Sequence, residues 1–299
     1  MTTMPVAPTR ASALTDALVA PPDLEVDAEE LSALRRSLVR DLSSLVVDLA
    51  PGEELVLDAH RLMAARTDPE RCTVDAPFRP SPRLVRRAIG LAAVSRLVRG
   101  RSPAPAAAVA DVLRDALEEQ AERATASPGA PRPAWWGEWY AGLAPGARAV
   151  VEAEAVGWAT HLCTAVEWAR LRPTPVVGGR DDWWDCPGAR RLTLRGRVDV
   201  RVPLGARQAL LVVVGGVPAP DWRVVLGFPA LVATLVRGER SMPVRVVGTW
   251  PACGHSRVLQ VDVPALRVAA DAVVAAAGTW VDALIEARRP GERSQLRSS

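Results

Sequence analysis

The amino-acid sequence predicts an α/β protein in which helices flank a mixed central sheet, with an α-helical N-terminal extension. Three observations support this fold class. Apolar residues occupy every second position for most of the stretch 192–202, which is the period of a half-buried strand. The run 209–214 is uniformly apolar and ends at Gly215-Gly216, as expected for a strand covered on both faces. From residue 147 onward predicted helices alternate with strands, which is typical of α/β domains.

Length and composition predict how the chain is divided. A chain of 299 residues can hold one large domain with an appendage. Residues 1–22 are rich in Pro, Ala and Thr without an apolar period, so we expect a disordered lead there. We expect a helical N-terminal extension over 23–75, the α/β domain over 76–290 and a flexible tail over 291–299.

The extension begins with a helix that runs to about residue 50. Asp27 and Glu30 have the spacing of a capping box, and a stripe of leucines follows over 31–49. The stripe either packs on its own domain or pairs with a helix of a partner protein. A second helix is predicted over 53–66.

The later elements follow from periodicity and from the positions of Pro and Gly. Extended backbone is expected over 78–82, and a linker or exposed loop over 127–133. A loop with at most one short strand is expected over 173–187. The remaining predicted elements, besides the two strands above, are helices at 82–99, 103–124, 147–171, 221–236 and 262–288 and strands at 244–250 and 257–261.

Composition excludes few classes of function. The net charge of +3 is only mildly basic, which by itself does not indicate nucleic-acid binding. All 37 basic residues are arginine. We find no apolar run of 18 or more residues and no signal-peptide pattern, so we expect a cytoplasmic protein without a membrane span. The four cysteines are widely spaced, and we expect reduced thiols rather than a zinc site or a disulfide framework.

Four short segments follow one another in an order that resembles a known family. They are FRPSPRL at 78–84, GWATH at 157–161, RGRVDV at 195–200 and the apolar strand at 209–214. These are similar to the SPSRL, GxxxH, GxID and vvDyKTG motifs of the RecB-like branch of the PD-(D/E)XK nuclease superfamily. The resemblance covers about 78–285 and implies a restriction-endonuclease-like core.

The resemblance also implies a metal site. By this resemblance, Asp199 would be the strand carboxylate that holds Mg²⁺, and His161 would be an additional ligand. A carboxylate suits this role because a hard cation takes oxygen ligands, and the bound cation activates water for attack on phosphate. Where the family has a second carboxylate and a lysine, this chain has valine at 212–214 and contains no lysine. Arginine replaces such a lysine poorly. We therefore predict a degenerate site without catalytic residues and without a cofactor, unless Mg²⁺ occupies what remains of it.

Asp199 has an alternative interpretation, as a structural carboxylate paired with the neighbouring Arg197 and Arg201. The arginines of this stretch and of the helix at 82–99 are either a solvated surface or a contact surface for DNA. The candidate nucleic-acid-binding residues are Arg191, Arg195, Arg197, Arg201, Arg83, Arg86 and Arg87.

Three functions are consistent with these patterns. The first is a non-catalytic RecB-like protein that acts as a nucleic-acid-binding or scaffolding subunit. The second is a protein-interaction module that binds its partner through the leucine stripe 31–49 and exposed tryptophans. The third is a weak metal-dependent DNA nuclease that uses Glu154, His161 and Asp199, with Asp181, Asp182 or Asp185 as further ligands.

Overall fold

The computed structural model of the chain describes residues 10–21, 27–50, 52–69, 72, 82–123, 136–171, 173–178, 181–189, 191–218, 220–251 and 253–295. It shows a mixed α/β protein, which confirms the predicted α/β class, but the strands form two mixed sheets instead of the one central sheet expected. The helices are α1 (Arg10–Val19), α2 (Ala28–Leu45), α3 (Ala59–Thr67), α4 (Pro82–Val98), α5 (Pro105–Arg123), α6 (Gly137–Ala141), α7 (Pro145–Ala165), α8 (Trp222–Arg237) and α9 (Val263–Gln295). The strands are β1 (Leu55–Asp58), β2 (Val176–Val177), β3 (Asp182–Asp185), β4 (Leu192–Gly196), β5 (Val200–Leu204), β6 (Arg207–Val213), β7 (Pro243–Trp250) and β8 (His255–Gln260).

The chain forms two compact units that differ from the predicted partition. One unit comprises Met1–Val19 and Pro77–Gly178, and the other comprises Ala20–Ala76 and Gly179–Ser299. The predicted extension 23–75 is therefore part of the same unit as the sheets, because α2 and α3 pack against α9.

The first unit is mainly helical. Helix α4 packs against α5 and α7, and α1 packs against α7. The prediction of a disordered lead over 1–22 is wrong for α1, because Leu14 and Leu18 are buried and the hydroxyl of Thr15 accepts a hydrogen bond from the backbone N–H of Glu167 at 2.9 Å. The expected linker 127–133 and most of the expected extended segment 78–82 lie outside the described residues.

The second unit contains two mixed sheets. In the smaller sheet the strand order is β1-β4-β3, with β1 parallel and β3 antiparallel to β4. In the larger sheet β5, β6, β7 and β8 follow one another, and only the β6–β7 pair of these four is parallel. Helix α8 connects β6 to β7 and contacts both sheets, so it forms the centre of this unit.

The predicted continuous strand over 192–202 is broken into β4 and β5, which belong to different sheets. The break lies at residues 197–199. There the backbone N–H of Asp199 bonds to the carbonyl of Leu211 on β6, at 3.1 Å. That bond directs the following residues into the larger sheet.

The predicted helix over 53–66 is also corrected. Its first part is strand β1, in which Leu55 and Leu57 are buried and pair with Leu192 and Leu194. The helix begins only after Asp58, whose carboxylate accepts a hydrogen bond from the backbone N–H of Arg61 at 2.9 Å and so caps α3.

Other predicted boundaries are confirmed or shifted. The carboxylates of Asp27 and Asp262 accept hydrogen bonds from backbone N–H groups in the first turns of α2 and α9, as capping predicts. Helix α7 ends at Ala165 instead of residue 171. The segment 173–187 holds two short strands, β2 and β3, where at most one was expected.

The leucine stripe lies in the core of the second unit. Leu31, Leu34, Leu38 and Leu42 are buried, and α2 packs against α9. These leucines therefore belong to the chain's own hydrophobic core.

Helix α9 continues into the predicted flexible tail. Among the described residues, only its segment Val263–Ala287 is long and apolar enough to cross a membrane, with a mean hydropathy of 1.6. The core helix of a soluble protein has the same properties. Leu266, Val273 and Ala277 of this helix are buried in the core.

The contact between β4 and α8 gives a prediction. A Cβ atom at Gly196 would lie 2.8 Å from the Cβ of Val232, so Gly196→Ala must displace α8. We expect it to lower the free energy of unfolding by about 1–3 kcal/mol, as overpacked cores do. Gly215→Ala is the matched control, because a Cβ atom there would meet no atom within 4 Å apart from the adjoining residues. Equal unfolding midpoints for the two variants in urea would contradict this packing.

Candidate site around Asp199 and Asp182

Asp199 lies at the junction of β4 and β5 and is completely buried, with 0% of its surface exposed. Its carboxylate oxygen Oδ2 accepts a hydrogen bond from the backbone N–H of Val213 at 2.7 Å. Together with the bond from its own N–H to Leu211, this attaches the junction to β6 at two points. The carboxylate that was predicted to bind a metal ion therefore forms a hydrogen bond to the backbone of the neighbouring strand β6.

The other two candidate metal ligands lie on α7 in the first unit. The carboxylate of Glu154 forms an ion pair with Arg86, with N and O 2.9 Å apart. His161 is half-buried, and burial lowers its pKa, so the neutral form is favoured. Within the described residues, no group of three or more His, Cys, Asp or Glu side chains is arranged to hold a metal ion.

Strand β6 does not supply the missing ligands. Val212 and Val213 are buried in the core beside the junction, and Val214 follows the strand. A Mg²⁺ site takes several oxygen ligands, usually including carboxylates. Asp199 with these valines does not fit that donor set.

The predicted nucleic-acid-binding arginines of the second unit mostly have partners within the fold. Arg191 donates hydrogen bonds to the carbonyls of Leu49 and Ala50, at 2.5 and 2.8 Å. It therefore stabilises the chain just after α2. Arg195 forms an ion pair with Asp181 at 2.7 Å, and its guanidinium carbon lies 4.9 Å from the ring centre of Trp183.

The remaining candidates are also engaged or are not described. Arg86 pairs with Glu154, and Arg87 and Arg197 each have an interaction partner. The side chain of Arg83 lies outside the described residues. Binding of DNA by this set of residues stays a prediction.

A buried cluster of charges joins both sheets and α8. Asp182 on β3 is 5% exposed and Arg201 on β5 is 8% exposed, and their charged groups are 2.7 Å apart. The second oxygen of Asp182 accepts a hydrogen bond from Arg237 at the end of α8, at 3.0 Å. The single carboxylate of Asp182 thus forms ion pairs with two guanidinium groups.

The sequence contained a partial signal for this cluster. In the DWWD segment, Asp182 and Trp184 share one face of β3, and both are buried, whereas Trp183 is 52% exposed. The strand period thus places Asp182 in the core beside a large apolar side chain. No local pattern identifies Arg201 and Arg237 as its partners, because they come from other elements.

The cysteines are free thiols, as predicted. Burial raises the pKa of Cys72, Cys163 and Cys186, which disfavours the reactive thiolate. Cys253 lies in the turn between β7 and β8, where its thiol contacts the carbonyl of Trp250, and His255 is the first residue of β8.

Comparisons with known proteins identify no relative of this chain. No protein-family model matches the chain, and searches of curated proteins and of solved structures also find no match.

The buried cluster gives a prediction about stability. Asp182→Asn keeps the shape of the side chain but leaves the buried Arg201 without its counter-charge. We expect the free energy of unfolding to fall by about 3 kcal/mol, as when one partner of a buried ion pair is removed. Asp185→Asn is the control on the same strand, because Asp185 is exposed and accepts a hydrogen bond from Thr193. If chemical denaturation shows that Asp182→Asn and Asp185→Asn lower the free energy of unfolding by similar amounts, the buried cluster has no special role in stability.

Proposed function

We propose that this chain is a non-catalytic protein with a RecB-like nuclease fold, which acts by binding, as a scaffolding subunit. The observation that carries the proposal is the environment of the Asp199 carboxylate. Its buried carboxylate is bonded to the backbone of Val213, beside a strand that offers valines where a nuclease needs a carboxylate and a lysine. Such a site favours a structural role over hydrolysis.

The topology supports a restriction-endonuclease-like core as part of this proposal. Strands β5 and β6 form an antiparallel hairpin, and α8 then crosses over to β7, which is parallel to β6. The residue that resembles the GxID aspartate directly precedes β5. Free cysteines are consistent with a reducing compartment, so we place the protein in the cytoplasm.

Edge strand β3 offers the surface on which we expect a protein partner. Trp183 is 52% exposed there, and Arg195 covers part of its ring. Trp and Arg are the residue types most enriched where protein interfaces gain their affinity. Asp181 forms an ion pair with Arg195, and Asp185 lies opposite Thr193 on the same strand segment, so this segment carries two carboxylates for one guanidinium group. This local charge opposes phosphate and favours a protein partner over nucleic acid.

Nucleic acid is the second candidate partner, because some arginines remain available. Arg36 on α2 and Arg99 and Arg101 after α4 are exposed, and none has an ion-pair partner among the residues that the structure describes. Phosphate contacts by such residues would give an affinity that falls steeply with salt concentration.

The first test of the proposal is an assay for hydrolysis. With Mg²⁺ or Mn²⁺, we expect the purified chain to leave single-stranded and double-stranded DNA intact. Cleavage that is abolished by Asp199→Ala but kept by Asp185→Ala would contradict a non-catalytic role. Any cleavage common to all three proteins would indicate a contaminating nuclease.

The second test concerns the partner surface. We expect Trp183→Ser to abolish association with proteins that co-purify with the full chain from its own cells, because it removes the exposed ring. Val258→Ser is the matched control, since Val258 is also an exposed apolar residue on a strand, β8, and is 41% exposed. If the chain instead binds DNA with a steep salt dependence that Trp183→Ser does not change, the nucleic-acid candidate replaces the protein partner.

A further inference from the structure

The second unit contains a cavity of about 330 Å³ between α2 and α8, and residues of the 3₁₀ turn Glu239–Ser241 also line it. Leucines form its floor: Leu31, Leu34 and Leu38 from α2, and Leu231 and Leu235 from α8. Small-molecule sites in proteins have volumes of roughly 300–1,000 Å³ and mainly apolar walls. The cavity fits the lower end of that range.

The mouth of the cavity is cationic. Arg35 from α2, Arg237 from the end of α8 and Arg240 from the 3₁₀ turn line it, together with Glu239. Among the residues that the structure describes, neither Arg35 nor Arg240 has an ion-pair or hydrogen-bond partner for its guanidinium group. The carboxylate of Glu239 accepts a hydrogen bond from the hydroxyl of Ser32 at 3.4 Å.

The charges behind the mouth leave this positive excess unchanged. Arg237 is held by Asp182, and Asp182 is already bonded to the buried Arg201. The Nη1 atom of Arg201 is buried without a hydrogen-bond partner. Counting the mouth and this cluster together, four guanidinium groups face two carboxylates. Two positive charges therefore remain next to an apolar floor.

We propose that this cavity binds an amphiphilic anion, which consists of an aliphatic body and one anionic head group. The body lies on the leucines, and the head group accepts charge-assisted hydrogen bonds from Arg35 and Arg240. At roughly 30 Å³ for each water-sized group, the cavity holds about eleven such groups, which corresponds to a medium-length alkyl chain.

The lining argues for an alkyl body over a nucleobase. The residues that line the cavity include no aromatic side chain on which a base could stack. The apolar side chains that form the floor are all leucine, and they offer no hydrogen-bonding groups to read the edge of a base. Carboxylate and phosphate heads are both recognised by guanidinium groups, so the experiment must compare them.

The test is isothermal titration of the full chain with decanoate and, in a second arm, with decyl phosphate, each below its micelle-forming concentration. We expect binding of one molecule per chain, and the tighter of the two ligands identifies the head group. Arg35→Gln and Arg240→Gln should each weaken binding about tenfold, as loss of a hydrogen bond between charged groups does. Arg36→Gln is the matched control, because Arg36 is exposed on the same helix but does not line the cavity.

A second variant tests the cavity itself. Ser32→Phe places an aromatic ring at the mouth and should abolish binding while the far-ultraviolet circular dichroism stays unchanged. The proposal is overturned if neither ligand binds at millimolar concentration, if decyltrimethylammonium binds as tightly as decanoate, or if the arginine variants bind like the Arg36→Gln control.

Discussion

The turn of the chain at residues 197–199 is the constraint on which the second unit depends. Asp199 makes two hydrogen bonds to β6, one from its backbone N–H to Leu211 and one from Val213 to its carboxylate. The carboxylate is completely buried, where an unsatisfied polar group costs about 1–3 kcal/mol. These bonds fix the start of β5 against β6 and leave β4 free to pair with β1 and β3 in another sheet.

The division into two sheets explains where the charged residues lie. Because β3 and β5 belong to different sheets, Asp182 and Arg201 can meet in the interior between them, and α8 adds Arg237 at its C-terminal end. A cation at that end of a helix is also stabilised by the helix dipole. The cluster therefore ties both sheets to the central helix. It also places uncompensated positive charge near the mouth of the leucine-lined cavity.

The elements with long or uniform apolar patterns were predictable from the sequence: α2, α8, β6 and the start of α9 lie where periodicity and capping residues place them. Strand β1 was not predictable from the sequence, because its four residues pair with β4, which lies far along the chain. The burial of Arg201 was missed for the same reason: alternation along one strand predicts an outward side chain, and its counter-charge comes from β3. For the site, the sequence singled out Asp199, but its backbone partner on β6 depends on strand register, which no local pattern fixes.

The role of Asp199 is the central claim, and thermal unfolding with and without Mn²⁺ tests it most directly. A ligand that binds only the folded protein raises the unfolding temperature. We expect Mn²⁺ to leave the midpoint of the wild-type chain unchanged, and Asp199→Ala to unfold at a lower temperature in either condition because Val213 loses its hydrogen bond. A rise in the wild-type midpoint with Mn²⁺ that disappears in Asp199→Ala would contradict the account and identify Asp199 as a metal ligand.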